Sequence, residues 1–369
     1  MKKTKIVISL IFMTSVFLFA GCQKKEEISK EGYVWKNTEI PQTVKEKITE
    51  DITIDAKVRV LPGFEDGKAD VWNVVRCVMD KENIFTVLSQ GRKEFEEWTE
   101  EHGTETAYHY DFSDSSKLLI AKYEMNYLSE LSAHLSKCVR LGKNEIDNNT
   151  AVFESAPKDL PFMTREEAQK NCYQMLSDLK REAYAEPLRS FSFEHTLLQE
   201  QEVVFDMGDQ DSTDPSTVPK ESWTEDDDCY YFEFLPMVEK CGIVPEAYVQ
   251  SEKIAPVGLN EVIYGKNGVV DFRDSGQFEV EKVLEQEKPL LNYETALQKI
   301  KNYYENVMTD KSLTVKEIYL GYVFLFEEKE YQYQAEPAWV FKTENKNIST
   351  GYIFYENVVI DAVTGEEIS

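Results

Sequence analysis

The chain has few histidines, and their scatter argues against a metal or catalytic site built around them. Its 369 residues include only 4 histidines, with no pair at i, i+4 and no His-Glu-x-x-His motif, and these are His102, His109, His134 and His195. A zinc site needs several preorganised ligands, so zinc is not expected. The sequence also lacks a Gly-x-Ser-x-Gly elbow, a phosphate-binding loop and a dinucleotide fingerprint. No pattern specifies a reaction, and no cofactor is implied.

Cysteine is also scarce, and its number is odd once Cys22 is set aside. The five that remain cannot all pair within one chain, and they are Cys77, Cys138, Cys172, Cys229 and Cys241. A cysteine nucleophile needs a base beside it, and no sequence signature of one is present. Cys172 lies on the apolar stripe of a predicted helix, which indicates a small core residue. Cys229 and Cys241 flank one predicted strand and form the pair to test for a disulfide.

Basic side chains are outnumbered by acidic ones. There are 41 lysines and arginines against 68 aspartates and glutamates, which gives a formal net charge of −27 at pH 7. A surface this acidic repels nucleic acid and anionic lipid headgroups. A link to a membrane is therefore expected to be covalent rather than electrostatic. We attribute the excess of acidic side chains to the need for solubility at a crowded cell surface. We prefer this explanation to the binding of a cationic ligand.

One apolar run stands at the amino terminus, over residues 6–20, after three lysines within the first five residues. It is too short to cross a hydrocarbon core of ~30 Å comfortably, so it predicts a signal peptide over residues 1–21. The sequence Phe19-Ala20-Gly21-Cys22 is similar to the bacterial lipobox, although Phe19 stands where leucine is usual. This resemblance implies that a diacylglycerol, with its palmitate-like chains, is attached to Cys22 through a thioether.

A lipidated tether is predicted next, over residues 22–44. This stretch is polar and charged and has no periodicity, so it has little to bury. It would hold the folded part of the chain away from the membrane.

Residues 45–150 are predicted to form an N-terminal unit of mixed helix and strand. Apolar and polar residues alternate over Ile52–Val60, which predicts a half-buried strand. Valines recur at helical spacing over residues 71–78 and predict a helix. A further strand is predicted over residues 106–112 and a long helix over residues 116–138. Antiparallel strands mixed with helices indicate the α+β class.

Residues 157–290 are predicted to form a first helix-and-strand module. Thr164 opens a capping box with Glu167, at the start of a predicted helix. The apolar stripe of that helix consists of Ala168, Cys172, Met175, Leu176 and Leu179. Strands are predicted to follow over residues 190–198, 230–238 and 261–272.

Within this module, the stretch from Asp206 to Asp228 predicts a long acidic loop. Its aspartate, serine, threonine and proline content cannot bury enough apolar area to order the chain. Four aspartates could offer oxygens to calcium, namely Asp206, Asp209, Asp211 and Asp214. Their spacing does not match an EF-hand loop, which also needs a glycine and a terminal glutamate that are missing here. A solvated loop is preferred, and calcium binding stays open as the alternative.

Residues 291–369 are predicted to form a second module of the same kind. Asn292 can cap a helix over residues 293–307, which carries an apolar face. Strands are predicted over residues 315–326, 338–342 and 352–361. Short connections between them favour an antiparallel meander with the helix on one face.

Several tyrosines predict that the face of the meander away from the helix binds a partner. They are Tyr319, Tyr322, Tyr331, Tyr333 and Tyr352. Tyrosine is common at interfaces because its ring buries area while its hydroxyl keeps a hydrogen bond. A partner-binding tail requires several of them to form a contiguous exposed patch. The alternative is that they only cover the sheet or contact the preceding module.

The repeated order of a helix and then strands, closed by Asp361-Ala362-Val363-Thr364-Gly365, resembles the PepSY family. The resemblance covers residues 291–369 and, more loosely, residues 157–290, so that two PepSY-like copies would follow the N-terminal unit. It implies extracytoplasmic modules with an inhibitory or regulatory binding role. The whole chain also resembles a group of uncharacterised lipoproteins of Gram-positive bacteria, known only as a domain of unknown function. That group implies no activity.

Two functions remain open from the sequence. The first is a lipid-anchored protein on the extracytoplasmic face of the cell membrane, with a non-catalytic binding or regulatory role and an extracytoplasmic protein as partner. The second is an extracytoplasmic hydrolase whose site forms only in the fold. Among the tryptophans, Trp72, Trp98 and Trp339 are expected in the core or on sheet faces. Trp223, in the acidic loop, is expected to be the exposed contact candidate.

Overall fold

The computed structural model describes residues 30–35, 40–103, 105–139, 152–153, 159–203, 219–245, 252–274, 276–305, 311–327, 329, 331–347 and 351–368. The predicted signal peptide, Cys22, the first part of the tether and residues 204–218 of the acidic loop lie outside this set. Within it, no helix is long and apolar enough to cross a membrane.

Helices and antiparallel strands are mixed along the described chain, which confirms the α+β class. The helices are α1 (Lys81–Leu88), α2 (Glu130–Cys138), α3 (Arg165–Asp178), α4 (His195–Gln201) and α5 (Tyr293–Glu305). The strands are β1 (Thr43–Lys47), β2 (Ile52–Val60), β3 (Lys68–Arg76), β4 (Phe95–His102), β5 (Glu105–Phe112), β6 (Lys117–Ile120), β7 (Met125–Leu128), β8 (Arg189–Phe193), β9 (Cys229–Phe234), β10 (Met237–Val238), β11 (Cys241–Gly242), β12 (Asn260–Gly265), β13 (Gly268–Arg273), β14 (Phe278–Pro289), β15 (Lys311–Phe326), β16 (Gln332–Asn347) and β17 (Ile353–Asp361).

The first sheet has seven strands, in the order β1-β2-β15-β16-β3-β14, with β17 also paired to β16. The β2–β15 pair is parallel, whereas the other pairs are antiparallel. This sheet therefore combines strands from both ends of the described chain. Helix α5 packs on it, and the buried residues of both belong to one apolar core.

The second sheet has eight strands, in the order β4-β5-β6-β7-β13-β12-β9-β8, and takes them all from the middle of the chain. Every neighbouring pair is antiparallel. Helices α1 and α3 share a core with one face. Helices α2 and α4 share a core with the opposite face, but only with residues of β8, β9, β12 and β13. We call this second face the outer face, and its β4–β7 part has no helix of that core on it.

A buried ion pair stands where the chain crosses from the second sheet to the first. The Arg181 Nε lies 2.8 Å from Asp274 Oδ1, and both side chains are buried. Nearby, the rings of Tyr123 and Tyr331 approach to 4.0 Å between centroids, which joins a loop of each sheet.

Local signals in the sequence are confirmed where short-range chemistry decides the structure. The Thr164 side chain accepts from the Glu167 backbone N–H, and Glu167 accepts in return from Thr164, so the predicted capping box exists. Asn292 Oδ1 accepts from Thr295 N at 2.9 Å and caps α5 as predicted. The alternation over Ile52–Val60 is a strand whose Ile52, Ile54, Ala56 and Val58 are buried.

The helix predicted over residues 71–78 is wrong, because residues 71–76 belong to strand β3 and no helix follows before Lys81. The strand lies between β16 and β14 in the first sheet. Val71, Trp72 and Val74 are all buried, so apolar side chains occupy both faces of the strand. A strand covered on both faces loses the period-two pattern that would have identified it.

The long helix predicted over residues 116–138 is also wrong in its first half. Residues there form the hairpin β6–β7, and α2 begins only at Glu130. Leu118 and Ile120, then Met125 and Tyr127, are buried at alternate positions against one core. Leu118 and Met125 lie seven residues apart across the hairpin turn, which is also the spacing of two turns of a helix, and this produced the helical prediction.

Three predicted strands do not run unbroken, and the one over residues 230–238 divides into β9 and β10. Residues 261–272 form a hairpin of β12 and β13, and its turn places Gly268 at φ 109°, a conformation that favours glycine. The stretch over residues 190–198 is a strand only to Phe193 and continues as α4. The three strands predicted after α5 are present as β15, β16 and β17, with longer bounds for the first two.

Candidate functional site

One row of cross-strand neighbours crosses all eight strands of the second sheet on its outer face. Each consecutive pair is in direct register, so the side chains point to the same face. From β4 to β8 the row reads Trp98, His109, Leu119, Asn126, Arg273, Glu261, Glu233 and Arg189. We call it the outer row. It is aromatic at the β4 end and charged at the β8 end.

The charged end is closed by a bidentate ion pair. Arg189 Nε and Nη2 donate to the two carboxylate oxygens of Glu233, each at 2.6 Å. The Tyr231 hydroxyl donates to the same carboxylate at 2.9 Å. Glu233 is only 1% exposed, so these donors replace the water that a carboxylate needs.

Glu261 lies between Glu233 and Arg273 in the outer row. Burial raises the pKa of Glu261, Arg273 opposes the shift, and the nearby Glu233 and Asp271 carboxylates add to it. Burial likewise raises the pKa of Asp271, whose Oδ2 accepts from Ser132 Oγ at 2.6 Å. A carboxylate with a raised pKa is a candidate general acid, which makes Glu261 the candidate proton donor of the outer row.

The histidines are held apart by the fold. His195 donates its backbone N–H to Asp228 Oδ1 at 2.7 Å, and its Nδ1 lies 2.8 Å from the same oxygen. On α2, His134 Nδ1 lies 3.1 Å from Lys137 Nζ. Burial and the Lys137 charge lower the pKa of His134. Within the described ranges, no group of three or more His, Cys, Asp or Glu residues is placed to hold a metal ion.

The described end of the acidic loop is packed, which corrects the expectation for Trp223. This tryptophan is only 6% exposed, and its Nε1 donates to Glu202 Oε2 at 3.0 Å. Glu202 also accepts from the Lys220 backbone N–H at 2.9 Å and lies 3.0 Å from Lys137 Nζ. One buried carboxylate therefore ties the chain before residues 204–218 to the chain after them. The four calcium-candidate aspartates lie outside the described residues.

The cysteines past Cys22 are all free thiols, so Cys229 and Cys241 do not form the disulfide that was to be tested. Burial raises the pKa of Cys77 to about 11 and those of Cys138 and Cys241 to about 12. Burial also raises the pKa values of Cys172 and Cys229 well above the usual range. Protonated thiols are poor nucleophiles, which disfavours cysteine catalysis.

The tyrosine patch predicted on the C-terminal meander is not formed. Tyr319 and Tyr322 are buried, because β15 lies inside the first sheet rather than at its margin. The Tyr322 hydroxyl donates to the Asp70 carbonyl at 2.6 Å. Tyr331 packs on Tyr123, and Tyr333 stacks on Phe324. Among the five, Tyr352 alone is largely exposed, at 68%, so this hypothesis is wrong.

The exposed tryptophan is instead Trp98, at the open end of the outer row. Its ring stacks on His109 with centroids 3.7 Å apart and planes 5° apart. Its Nε1 donates to Asp111 Oδ2 at 2.9 Å. The residue still exposes 43% of its surface, so a rigidly held indole faces solvent. The sequence signal was a single tryptophan among glutamates, Phe-Glu-Glu-Trp-Thr-Glu-Glu-His, which is unusual for a buried strand.

Comparison with known proteins adds a fold but no activity. No family model and no curated protein matches the chain. A solved structure, described as an uncharacterized protein from Eubacterium rectale ATCC 33656, is similar with a TM-score of 0.68 and 16% sequence identity. The match covers 89% of this chain and 94% of the other. At this identity the likeness shows that the two proteins share a fold.

Proposed function

We propose that the protein is a membrane-anchored extracytoplasmic lipoprotein with a non-catalytic binding role, exercised through the open part of the outer face. The supporting observation is the asymmetry of the outer row. At one end, Arg189 and Tyr231 donate hydrogen bonds to Glu233, so these polar groups are paired with one another. At the other end, Trp98 is held in place and exposed to solvent. Rigid exposed aromatic side chains are frequent anchors of binding surfaces.

The membrane link in this proposal comes from the lipobox-like sequence that ends at Cys22. The net charge of −27 supports a covalent anchor, since an acidic protein gains nothing from anionic headgroups. The partner is then expected to be an extracytoplasmic protein, with no role for nucleic acid.

Two PepSY-like modules are part of the same proposal. Helix α3 is followed by β8, β9, β12 and β13, which pair in chain order, and α5 is followed by β15, β16 and β17 in the same way. In the first stretch α3 packs in a core with β9, β12 and β13, and in the second α5 packs in a core with β15, β16 and β17. This common order supports the resemblance, and it is consistent with a regulatory binding module.

Site-specific photo-cross-linking in cells tests the proposal. A photo-cross-linking residue replacing Glu100, which is exposed on the same face of β4 as Trp98, should give discrete high-mass adducts with an envelope protein. The same residue replacing Asp55, exposed on β2 of the first sheet, is the matched control and should give none. Equal adducts at both positions, or none at either, would place any binding surface elsewhere.

A second candidate, an extracytoplasmic hydrolase, is favoured by one observation. Glu261, with its raised pKa, stands in register beside the ion-paired Glu233, so two carboxylates in different environments are neighbours. Incubation of the full chain with cell-wall and peptide substrates tests this candidate. Product release that disappears in Glu261→Gln, with the melting temperature unchanged, would replace the binding proposal with a catalytic one.

A further inference from the structure

We propose that the free edge of β4 receives an extended basic segment of another protein as an added strand, with Trp98 as its side-chain anchor. This inference rests on the proposed binding function and names the chemistry of the partner. Strand addition supplies affinity through main-chain hydrogen bonds and specificity through alternate side chains. The surface needed for it is a regular, accessible strand edge.

Strand β4 provides such an edge. It stands at the end of the second sheet and pairs only with β5 among the described strands. All eight of its residues pair with β5 without a register shift, from Phe95↔Phe112 to His102↔Glu105. Residues 95–101 are exposed throughout. A straight edge of this length offers its outward N–H and C=O groups to an incoming strand.

The other three ends of the two strand orders are protected. Strand β14 has three register shifts against β3, a positive φ at Glu287 and two lysines. Strand β1 has only five residues, two of them lysines, and β8 has five residues and is largely buried. Bulges, charged side chains, shortness and coverage are the usual devices that prevent edge pairing. Strand β4 has no bulge, is eight residues long and is exposed, and its charged side chains are all glutamates.

The charge of β4 selects which strand can add to it. The strand contains four glutamates and neither lysine nor arginine. A second copy of this chain would bring the same glutamates opposite its own, and like charges directly across a strand pair are destabilising. A strand with lysine or arginine at alternate positions would place opposite charges there. The net negative charge of the whole chain is explained by solubility alone. Four glutamates along one regular strand edge, in contrast, favour a basic partner strand at that edge.

Trp98 would then recognise the basic side chains of the added strand. Its ring is fixed by the stack on His109 and by the bond to Asp111, so little conformational freedom is lost on binding. A lysine or arginine over an indole face gains a cation–π interaction. Glu96 points to the same face of the sheet as Trp98, so one row of basic side chains meets both.

Binding of a designed peptide to the full chain in detergent micelles tests the inference. The probe is a fluorescein-labelled, end-blocked ten-residue peptide that alternates lysine and valine, measured by anisotropy. We expect saturable binding that weakens as salt rises, since ion pairs contribute. Trp98→Ala and Glu96→Lys should each weaken it at least tenfold. Glu281→Lys, on the exposed part of the β14 edge, is the matched control and should leave it within twofold.

Two further peptides separate strand addition from general electrostatics. The same peptide with N-methyl groups on every backbone amide keeps its charge but has no N–H on either edge, and it should not bind. A glutamate–valine peptide should not bind either. Equal binding of the N-methylated peptide, equal loss in Glu281→Lys, or no binding to the unaltered chain would overturn the inference. In the last case, cross-links from position 100 in cells would leave the proposed binding function standing with a different partner.

Discussion

Arg189 and Glu233 form the tightest charged contact of the outer face, with two parallel hydrogen bonds of 2.6 Å to a carboxylate that water hardly reaches. The pair joins β8 to β9 at the margin of the core under α2 and α4. Removal of the guanidinium would leave a buried carboxylate with the Tyr231 hydroxyl as its remaining donor here. The stability of this part of the sheet therefore depends on the pair being complete.

Arg189→Met should lower the free energy of unfolding by about 2–4 kcal/mol, because it leaves a buried carboxylate, rather than a surface one, without its counter-ion. Urea unfolding at neutral pH measures the loss. The double variant Arg189→Met/Glu233→Gln should recover part of it, since no unpaired charge remains. Arg273→Met, which removes a more exposed arginine from the same row, should cost about 1 kcal/mol or less. Equal losses for the two arginines would contradict this account.

Glu336 predicts a pH dependence of stability. Burial, and then the nearby Asp361 carboxylate, raise the pKa of Glu336 to about 7. The unfolded chain releases this proton near pH ~4.3, so between these values the folded state holds more protons. Stability from this group is therefore fully present below pH ~4.3 and is lost as pH rises through about 7. Because the side chain is partly exposed, we expect a change of about 1–2 kcal/mol.

Thermal unfolding of the unaltered chain and of Glu336→Gln, compared between pH 5 and pH 8, checks this dependence. The variant should lose less stability than the unaltered chain as pH rises, because glutamine never ionises. Parallel stability curves for the two proteins would refute the prediction. Gln334, whose side chain donates to Glu336, is unchanged in both and keeps the local hydrogen bonding comparable.

The Asp-x-x-Thr-Gly sequence forms the turn after β17, and we expect the side chain of Asp361 to stabilise that turn. Its Oδ1 accepts from Val363 N at 2.7 Å and from Thr364 N at 3.0 Å, and Gly365 follows at φ 71°. Asp361→Ala should cost about 1 kcal/mol, because both turn amides lose their acceptor. Asp361→Asn keeps an acceptor oxygen and should cost less. A loss of equal size in both variants, measured by urea unfolding, would show that charge rather than turn geometry matters.

The lipobox-like sequence predicts that a lipid on Cys22 attaches the protein to the membrane. Cys22→Ala should abolish incorporation of a labelled fatty acid and stop processing at this site, because the thioether has no sulfur to form on. Metabolic labelling followed by immunoprecipitation measures this. Cys77→Ala, which alters a partly buried thiol in the folded region, is the control and should keep its label. Undiminished label on the Cys22 variant would refute the lipobox interpretation.

Short-range chemistry let the sequence determine several features of this protein. The capping box of Thr164 and Glu167 and the cap at Asn292 involve groups within one helical turn, so no distant residue can change them. The alternation over Ile52–Val60 needs only one buried face to identify a strand. The α+β class follows from the same kind of local pattern.

Tertiary structure alone decided which residues meet and which are exposed. The outer row joins Trp98 to Arg189 through eight strands, and no spacing in the sequence announces those registers. Trp223 was expected to be exposed and is buried against Glu202, whereas Trp98, expected in the core or on a sheet face, lies on a sheet face and is exposed. Tyr322 is buried because β15 pairs with strands from both ends of the chain. Burial depends on the sum of neighbours brought together by the fold, so a property of one residue in the sequence cannot fix it.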